Sequence, residues 1–536
     1  MKKKNRWRRC LLAGLLAVVL LALAACGSSS DEASEKTEKT EDTEKSDEEK
    51  VLNVGVSSIK DVPFNPYYFG TNGEQFVPLY DSLIALEDGE FVPCLAAEWT
   101  LSDDKTSMTM TLRDDVYFHD GSQMTSADVK FTFEYYKNEN SAHSESGKYQ
   151  KYIDTIEAAD EYTVVFHFTQ PCTEFEYIFS NASNFGGIVL PKDYFEKVGE
   201  EGYAANPIGT GPFKLESFEP GVQMVYAANE DYWKGAPQYD KLVIRQISEE
   251  STIVAELQTG GLDFAALNES SVSVLEKDDN VSVDRVPYDS TCGVFMDGTY
   301  KDTGAATQSL AVRQAMSLAI NKQEIVDSLF NGNADAPAVW GICPDTPGYD
   351  GSRKVSEYDP EKAKALLKEA GYPEKFANPT VKFYVSDTKS YGMDLAQVLV
   401  NYWEAVGLQV EITASDTATI FSQRTSDEFA GSIYYCDPPV KYSIDDAISM
   451  EFTSYSSFAL TSGNDIVDNG AKQLLSTDIK DRGALANQIW DAIDEECVCL
   501  PIVCPSQGYG VSEKVAEWNS NYGSHWSDWF YSFVLD

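Results

Sequence analysis

Hydrophobic positions fall into two regimes along the chain. Leu11 to Ala25 is an uninterrupted run of apolar and small residues behind a cationic leader of Lys2, Lys3, Lys4, Arg6, Arg8 and Arg9. From Gly27 to Lys50 only Ala33 is apolar, and Ser, Thr, Asp, Glu and Lys supply the rest. Beyond Val51 the pattern becomes periodic. Met108, Met110 and Leu112 alternate with threonines, and Val164, Phe166 and Phe168 alternate with Thr163, Val165 and His167, as half-buried strands require. Leu242 and Ile244 mark a further strand. Thr125, with Asp128 three residues on, predicts a capped helix bearing Val129, Thr132, Phe133 and Tyr136. Ile253, Val254 and Leu257 predict a helix that stops at Gly260-Gly261. Asn321 and Glu324 open a helix through Ile325, Val326, Leu329 and Phe330, closed by Asn331-Gly332. Asp359-Pro360 opens another, with Ala363, Leu366, Leu367 and Ala370 on one face, Lys362 and Lys364 pointing away, and Gly371 at its end. The signals alternate irregularly and without a repeat, which predicts mixed α/β architecture.

The apolar run at the start is shorter than the roughly 20 residues that cross a bilayer. A charged start, a short apolar stretch and small residues form a signal-peptide pattern over residues 1–25. The run ends Leu23-Ala24-Ala25-Cys26-Gly27 and resembles a bacterial lipobox, in which the cysteine is diacylated, so Cys26 is the expected lipidation (palmitate) site. Residues 26–50 have too few apolar groups to offset ordering entropy and are expected to form a disordered tether. Two acyl chains, at about 0.8 kcal/mol per buried methylene, would hold the protein firmly to the extracytoplasmic face of the membrane, as in a Gram-positive surface lipoprotein.

Composition narrows the field further. The 536 residues carry a net charge of −44. Six of the 42 basic residues lie in the leader, so the rest of the chain faces 86 acidic residues with few cations, which excludes nucleic acid and anionic lipid as partners of the folded part. Eight cysteines follow Cys26, and Cys497-Val498-Cys499 has the wrong separation for a CxxC pair. Only four histidines occur, and none lies near a cysteine cluster, so neither a metal nor another cofactor is expected. HExxH and GxSxG are absent, which leaves a secreted hydrolase without an ordered catalytic set. His119-Asp120-Gly121 reads as a turn, and Gly209-Thr210-Gly211-Pro212 as a tight turn between lobes that lacks the rest of a phosphate loop.

Four stretches in register carry a resemblance. They are LYDSLIALEDGEFVPCLAAEWTLSDDKTSMTMTLRDDVYFHDGSQMTSADVKFTFEYY from Leu79, PIGTGPFKLESFEPGVQMVYAANEDYWKGAPQYDKLVIRQI from Pro207, AVRQAMSLAINKQEIV from Ala311 and YDPEKAKALLKEAGY from Tyr358. Together they resemble the family 5 extracellular solute-binding proteins, the oligopeptide, dipeptide and nickel binders of ABC importers. The resemblance implies a two-lobed periplasmic-binding-protein-like α/β fold (type II, cluster C) with an extra domain inserted in the first lobe. Residues 51–86, 208–300 and 506–536 would form lobe I, 87–207 the inserted domain and 301–505 lobe II. Ligand would lie between the lobes and be enclosed by hinge closure.

The same resemblance implies site residues. A family "W.AD" or "W.GD" stretch supplies a carboxylate for a peptide's amino terminus. Its counterpart here is Tyr434-Tyr435-Cys436-Asp437-Pro438, which makes Asp437 either the amine anchor or a loop-capping aspartate before proline. Some members pair cysteines at the positions of Cys292 and Cys436; these are either a bridge or two buried thiols. Asn65, Tyr67 and Phe69 edge the expected cleft, with Trp340 and Tyr391 as further candidates to stack on a ligand or pack between lobes. The expected partners are a peptide and the permease subunits of the importer, with the protein a monomer. An oligosaccharide or nickel-complex binder, and a sensor of extracellular peptide, are the alternatives.

Overall fold

Alternate burial along Val51–Val56, with Leu52 and Val54 inward, starts a seven-stranded sheet. Its order is Val281–Val286, Gln507–Ser512, Phe264–Leu267, Val51–Val56, Lys241–Gln246, Gln223–Ala228 and Phe213–Glu219. Val51–Val56 lies parallel to Lys241–Gln246, with Leu52 opposite Leu242 and Val54 opposite Ile244. The structure, a computed structural model, describes residues 49–61, 64–65, 76–141, 143, 145–183, 186–288, 290–296, 302–386, 391–424, 426, 429–456, 463–519 and 529–536. The expected signal peptide, Cys26 and the tether up to residue 48 lie outside them, as do Tyr67 and Phe69. Lys50, assigned to the tether, already belongs to the fold. Its backbone N–H donates to Asp240 Oδ2 at 2.7 Å and its Nζ to the Leu535 carbonyl at 2.6 Å.

The second lobe is built on six strands in the order Ala334–Asp335, Cys499–Pro505, Cys292–Met296, Ile433–Cys436, Val381–Ser386 and Val410–Ser415. Period-2 alternation along Cys292–Met296 divides its core in two. Cys292, Val294 and Met296 join one apolar cluster with the helices Leu310–Leu318, Lys322–Leu329 and Gly392–Ala405. Phe295 joins the other, with Ile444–Glu451, Asp465–Leu474 and Arg482–Glu496. Between the two sheets the chain crosses twice, outward after Val286 and back at Ser506, between Cys499–Pro505 and Gln507–Ser512. Cys292–Met296 was expected in lobe I, but its hydrogen bonds are with Ile433–Cys436 and Cys499–Pro505, so the lobe boundary falls before Cys292. A four-stranded sheet in the order Ala96–Leu101, Ser107–Leu112, Thr163–Phe168 and Ile153–Asp160 forms the inserted domain.

Local signals behave as their chemistry dictates. Thr125 and Asp128 make a capping box on Ser126–Tyr136, with the Thr125 N–H donating to Asp128 Oδ2 at 2.8 Å. Asn321 Oδ1 and Asp359 Oδ1 accept from the backbone of Glu324 and Lys362, and Gly371 closes Pro360–Ala370 at φ 77°. Among the described residues no helix is long and apolar enough to cross a membrane.

The two turns read from sequence meet each other. His119 Nδ1 accepts from the Gly209 N–H at 3.1 Å, its Nε2 lies 3.0 Å from the Gly211 carbonyl, and its backbone N–H donates to the Gly209 carbonyl at 2.9 Å. One imidazole thereby ties the inserted domain to the strand entering lobe I. Accepting at Nδ1 requires the neutral ring. Burial lowers the His119 pKa to about 4, against the opposing pull of the Gly211 hydrogen bond. The glycines are needed for close approach, because a Cβ on Gly211 would meet the Tyr80 nitrogen at 2.5 Å and one on Gly209 the Leu79 oxygen at 2.1 Å.

Two expected outcomes follow from this clamp. Gly211→Ala lowers stability by about 1–3 kcal/mol, the usual cost of overpacking, as read by chemical denaturation. The folded pKa of His119 lies below its unfolded value of 6.5, so its contribution is complete above pH 6.5 and is lost as pH falls toward 4. A stability–pH profile for His119→Gln will therefore decline less steeply over that window than the parent's.

Candidate functional site

Where the inserted domain faces the second lobe, their charged side chains meet. Helix Ser146–Tyr152 presents Lys148 and Lys151, and the turn of helix Phe175–Ile178 presents Glu174 and Tyr177. Opposite stands helix Ile444–Glu451, carrying Asp445, Asp446 and Ser449, with Lys441 just before it. Ser443 caps this helix by accepting from the Asp446 N–H at 3.0 Å, and its hydroxyl donates across the cleft to Glu174 Oε2 at 2.6 Å. The walls enclose a cavity of about 480 Å³, a size typical of small-molecule sites.

The inserted domain and the second lobe are stitched across this cleft by buried charge. Arg482 of the second lobe pairs with Glu174 of the inserted domain, and both side chains are only 3% exposed. The Arg482 guanidinium also donates to the Thr173 carbonyl at 3.0 Å and hydroxyl at 2.7 Å. Lys148 reaches Asp446 Oδ1 at 2.8 Å and Glu145 Oε2 at 2.9 Å, while Lys441 takes Asp446 Oδ2 at 2.8 Å. Burial pushes the Asp446 carboxyl up, but Lys148 and Lys441 outweigh it and hold the group below the usual carboxylate range. Burial likewise pulls Lys148 down, and Asp446 and Glu145 more than restore it. Between the same two bodies, Lys105 pairs with Asp478 at 2.8 Å.

The cavity is thus walled by the inserted domain and the second lobe, and paired strands join the second lobe to lobe I. A family model described as "Bacterial extracellular solute-binding proteins, family 5 Middle" matches residues 90–438, more than half of the chain. The chain belongs to this family. It is 30% identical over 387 residues to the dipeptide-binding protein of Escherichia coli strain K12, covering 65% of this chain and 69% of that protein. The glutathione-binding protein GsiB of Salmonella typhi is also 30% identical, over 63% of this chain and 64% of its own length. In fold the chain is similar to the ABC transporter substrate-binding protein CtaP of Listeria monocytogenes, with a TM-score of 0.78 at 22% identity over 90% of this chain and 99% of that one. The oligopeptide-binding protein AppA of Bacillus subtilis, solved with a nonapeptide, gives 0.72 at 19% identity over 91% and 99%.

Within this solute-binding fold, the side chains singled out in the sequence do not converge. Tyr434 and Tyr435 are adjacent on Ile433–Cys436 and so enter the two opposite cores of the second lobe, both nearly fully buried. Trp340 is 1% exposed, packed edge-on to Phe295 at 4.8 Å, which leaves no ring face for a ligand. Tyr391 packs against Phe330 at 5.0 Å in the other core. Asn65 is fully buried and donates to the Tyr135 hydroxyl of the inserted domain at 3.4 Å. Half-buried Asp437 is not among the residues walling the cavity; it sits at the hinge, where the Thr291 N–H donates to the Pro438 carbonyl at 3.0 Å.

The suggested bridge between Cys292 and Cys436 is not made. Gly293, not Cys292, stands opposite Cys436, so the pleat sends Cys292 into one core and Cys436 toward the other. Both are thiols, and a disulfide needs Cβ atoms that face each other. What the sequence reading missed was the cavity wall itself. The available signal was Ser443 with Asp446 three residues on, a helix start that places two consecutive aspartates in a first turn.

Arg482→Met strands Glu174 in a buried site. The expected loss is about 3–5 kcal/mol of unfolding free energy, a substantial part of which returns in the Glu174→Gln/Arg482→Met double variant. Denaturant titration of the three proteins checks this, and an unchanged midpoint in the single variant would refute the pair's role.

Proposed function

We propose that the protein is the extracytoplasmic substrate-binding component of an ABC importer. It captures an extended peptide between its lobes and passes it, chemically unchanged, to the permease subunits. The observation that carries this reading is the 480 Å³ cavity whose walls come from the inserted domain and the second lobe and are bridged by ion pairs. A ligand in that space contacts both walls only in the closed form, which gives it the differential affinity that closure needs. The dipeptide- and glutathione-binding relatives support a peptide as the solute. The lipobox-like Leu23-Ala24-Ala25-Cys26-Gly27 supports anchoring through a lipid on Cys26, with the polar stretch that follows as tether and the folded part acting as a monomer.

Native mass spectrometry of the purified folded part is expected to show peptides retained at one per chain, intact after incubation, with small-angle scattering reporting compaction as they bind. A cleaved peptide, or a retained sugar or metal complex, would replace this reading. For the anchor, Cys26→Ser is expected to move the protein from the membrane fraction to the medium and abolish palmitate labelling.

A further inference from the structure

We propose that the second lobe carries a separate binding site for a small carboxylate with a short aliphatic tail, held by Lys322 and Lys354. Helices Leu310–Leu318 and Lys322–Leu329, the end of Arg482–Glu496 and the strand Cys499–Pro505 bound a cavity of about 170 Å³. It shares no wall residue with the cavity against the inserted domain, so this site stands apart from the solute-binding reading above. Lys322 is only 6% exposed and forms part of the wall. One of its N–H groups donates to the Pro337 carbonyl at 3.2 Å. Among the described residues it makes no other hydrogen bond and no ion pair.

A buried ammonium without a counter-charge is costly. Lys322 is also the first residue of its helix, where the backbone dipole disfavours a cation. Exposed Lys354 joins the same wall and likewise forms no ion pair among the described residues. Asp494, the carboxylate of the wall, pairs instead with Arg353. In a chain with 86 acidic residues against 42 basic ones, two lysines unmatched at one cavity call for an anion. A ligand carboxylate supplies both the charge and the acceptors. The Ser317 and Ser356 hydroxyls, which bond no other described residue, add donors to the wall. Ile320, Leu500 and Ile502 give it an apolar side for a tail. A cavity of about 150 Å³ accepts benzene, so this one suits an acid of about six heavy atoms, such as butyrate.

The surroundings of Lys322 also give binding a proton signature. Burial pulls its ammonium down to about 8, against the opposing pull of Asp494. The groups facing it are Asp494, Cys499 and Cys504, with Cys497 and Lys354 in the same wall. Burial raises all three thiols, Cys497 to about 11, Cys504 to about 12 and Cys499 well above its ordinary value, so they remain neutral. Burial also raises Asp494, and Arg353 opposes it. Among these buried groups Lys322 is therefore the one that changes charge near pH 8. A bound carboxylate favours its charged form, so binding takes up a proton there, and affinity falls as pH rises further.

The test is calorimetric titration of the purified protein with butyrate, its neutral analogue butyramide and inorganic phosphate at pH 7, with butyrate repeated at pH 9. Butyrate is expected to saturate at one per chain, with butyramide and phosphate at least tenfold weaker. At pH 9, where about a tenth of Lys322 keeps its proton, butyrate should bind about tenfold more weakly than at pH 7. Lys322→Met abolishes binding. Lys354→Glu weakens it at least tenfold and leaves the ligand-free melting temperature unchanged, because Lys354 is exposed. That second variant decides the outcome even if Lys322→Met does not fold. No saturable butyrate binding, equal affinity for butyramide, or an unaffected Lys354→Glu overturns the site. Equal affinity at pH 7 and pH 9 removes Lys322 from it, and phosphate binding tighter than butyrate overturns the carboxylate assignment.

Discussion

Charge buried between the inserted domain and the second lobe has to be matched, and the contact between these two bodies depends on that matching. Glu174 and Arg482, at 3% exposure each, would be strongly unfavourable if separated in place. Water would solvate both if the two bodies parted, so such pairs join them without tying one core to the other. Apolar contacts of similar area would grip without that reversibility, since exposing them to water costs about 25 cal/mol per Å². Asp446, shared between Lys148 from the inserted domain and Lys441 from its own lobe, extends the same logic.

The hinge is a consequence of strand pairing. The outgoing and returning crossings leave neighbouring strands in one sheet and enter neighbouring strands in the other, since Val281–Val286 pairs Gln507–Ser512 and Cys292–Met296 pairs Cys499–Pro505. Each sheet buries its own core, so rotation at the crossings leaves the cores intact. The inserted domain is tied to lobe I because His119 clamps the Gly209–Gly211 turn and the Arg113 guanidinium stands over the Trp233 ring at 4.4 Å. A cleft between rigid bodies, with a mixed-charge wall, suits a solute that is bound tightly enough to be carried and weakly enough to be released.

Much of the fold was readable along the chain because its determinants are local. A period of two in Thr163–Phe168, the Thr125–Asp128 box and the Asp359-Pro360 helix start act within a few residues, and each formed as its side chains require. The family likewise followed from short motifs whose residues make turns and caps. The site was less legible. Asp437, marked by its place in a motif, sits at the hinge, while the cavity between the inserted domain and the second lobe is walled by Asp445, eight residues on, together with Lys148 and Tyr177. Nothing in the spacing of residues 148, 177 and 445 brings them together, because that depends on how two separately folded bodies dock.

By itself, then, the amino-acid sequence determined the secondary elements, the α/β class and the family, since each rests on interactions between residues a few positions apart. It also bounded the chemistry through its acidity and its scarcity of histidine. Tertiary structure alone decided which aromatics became core, which cysteines were turned apart and which lysine was buried without a counter-charge. Burial and charge pairing are properties of surfaces brought together across more than a hundred residues of chain, and no local pattern encodes them.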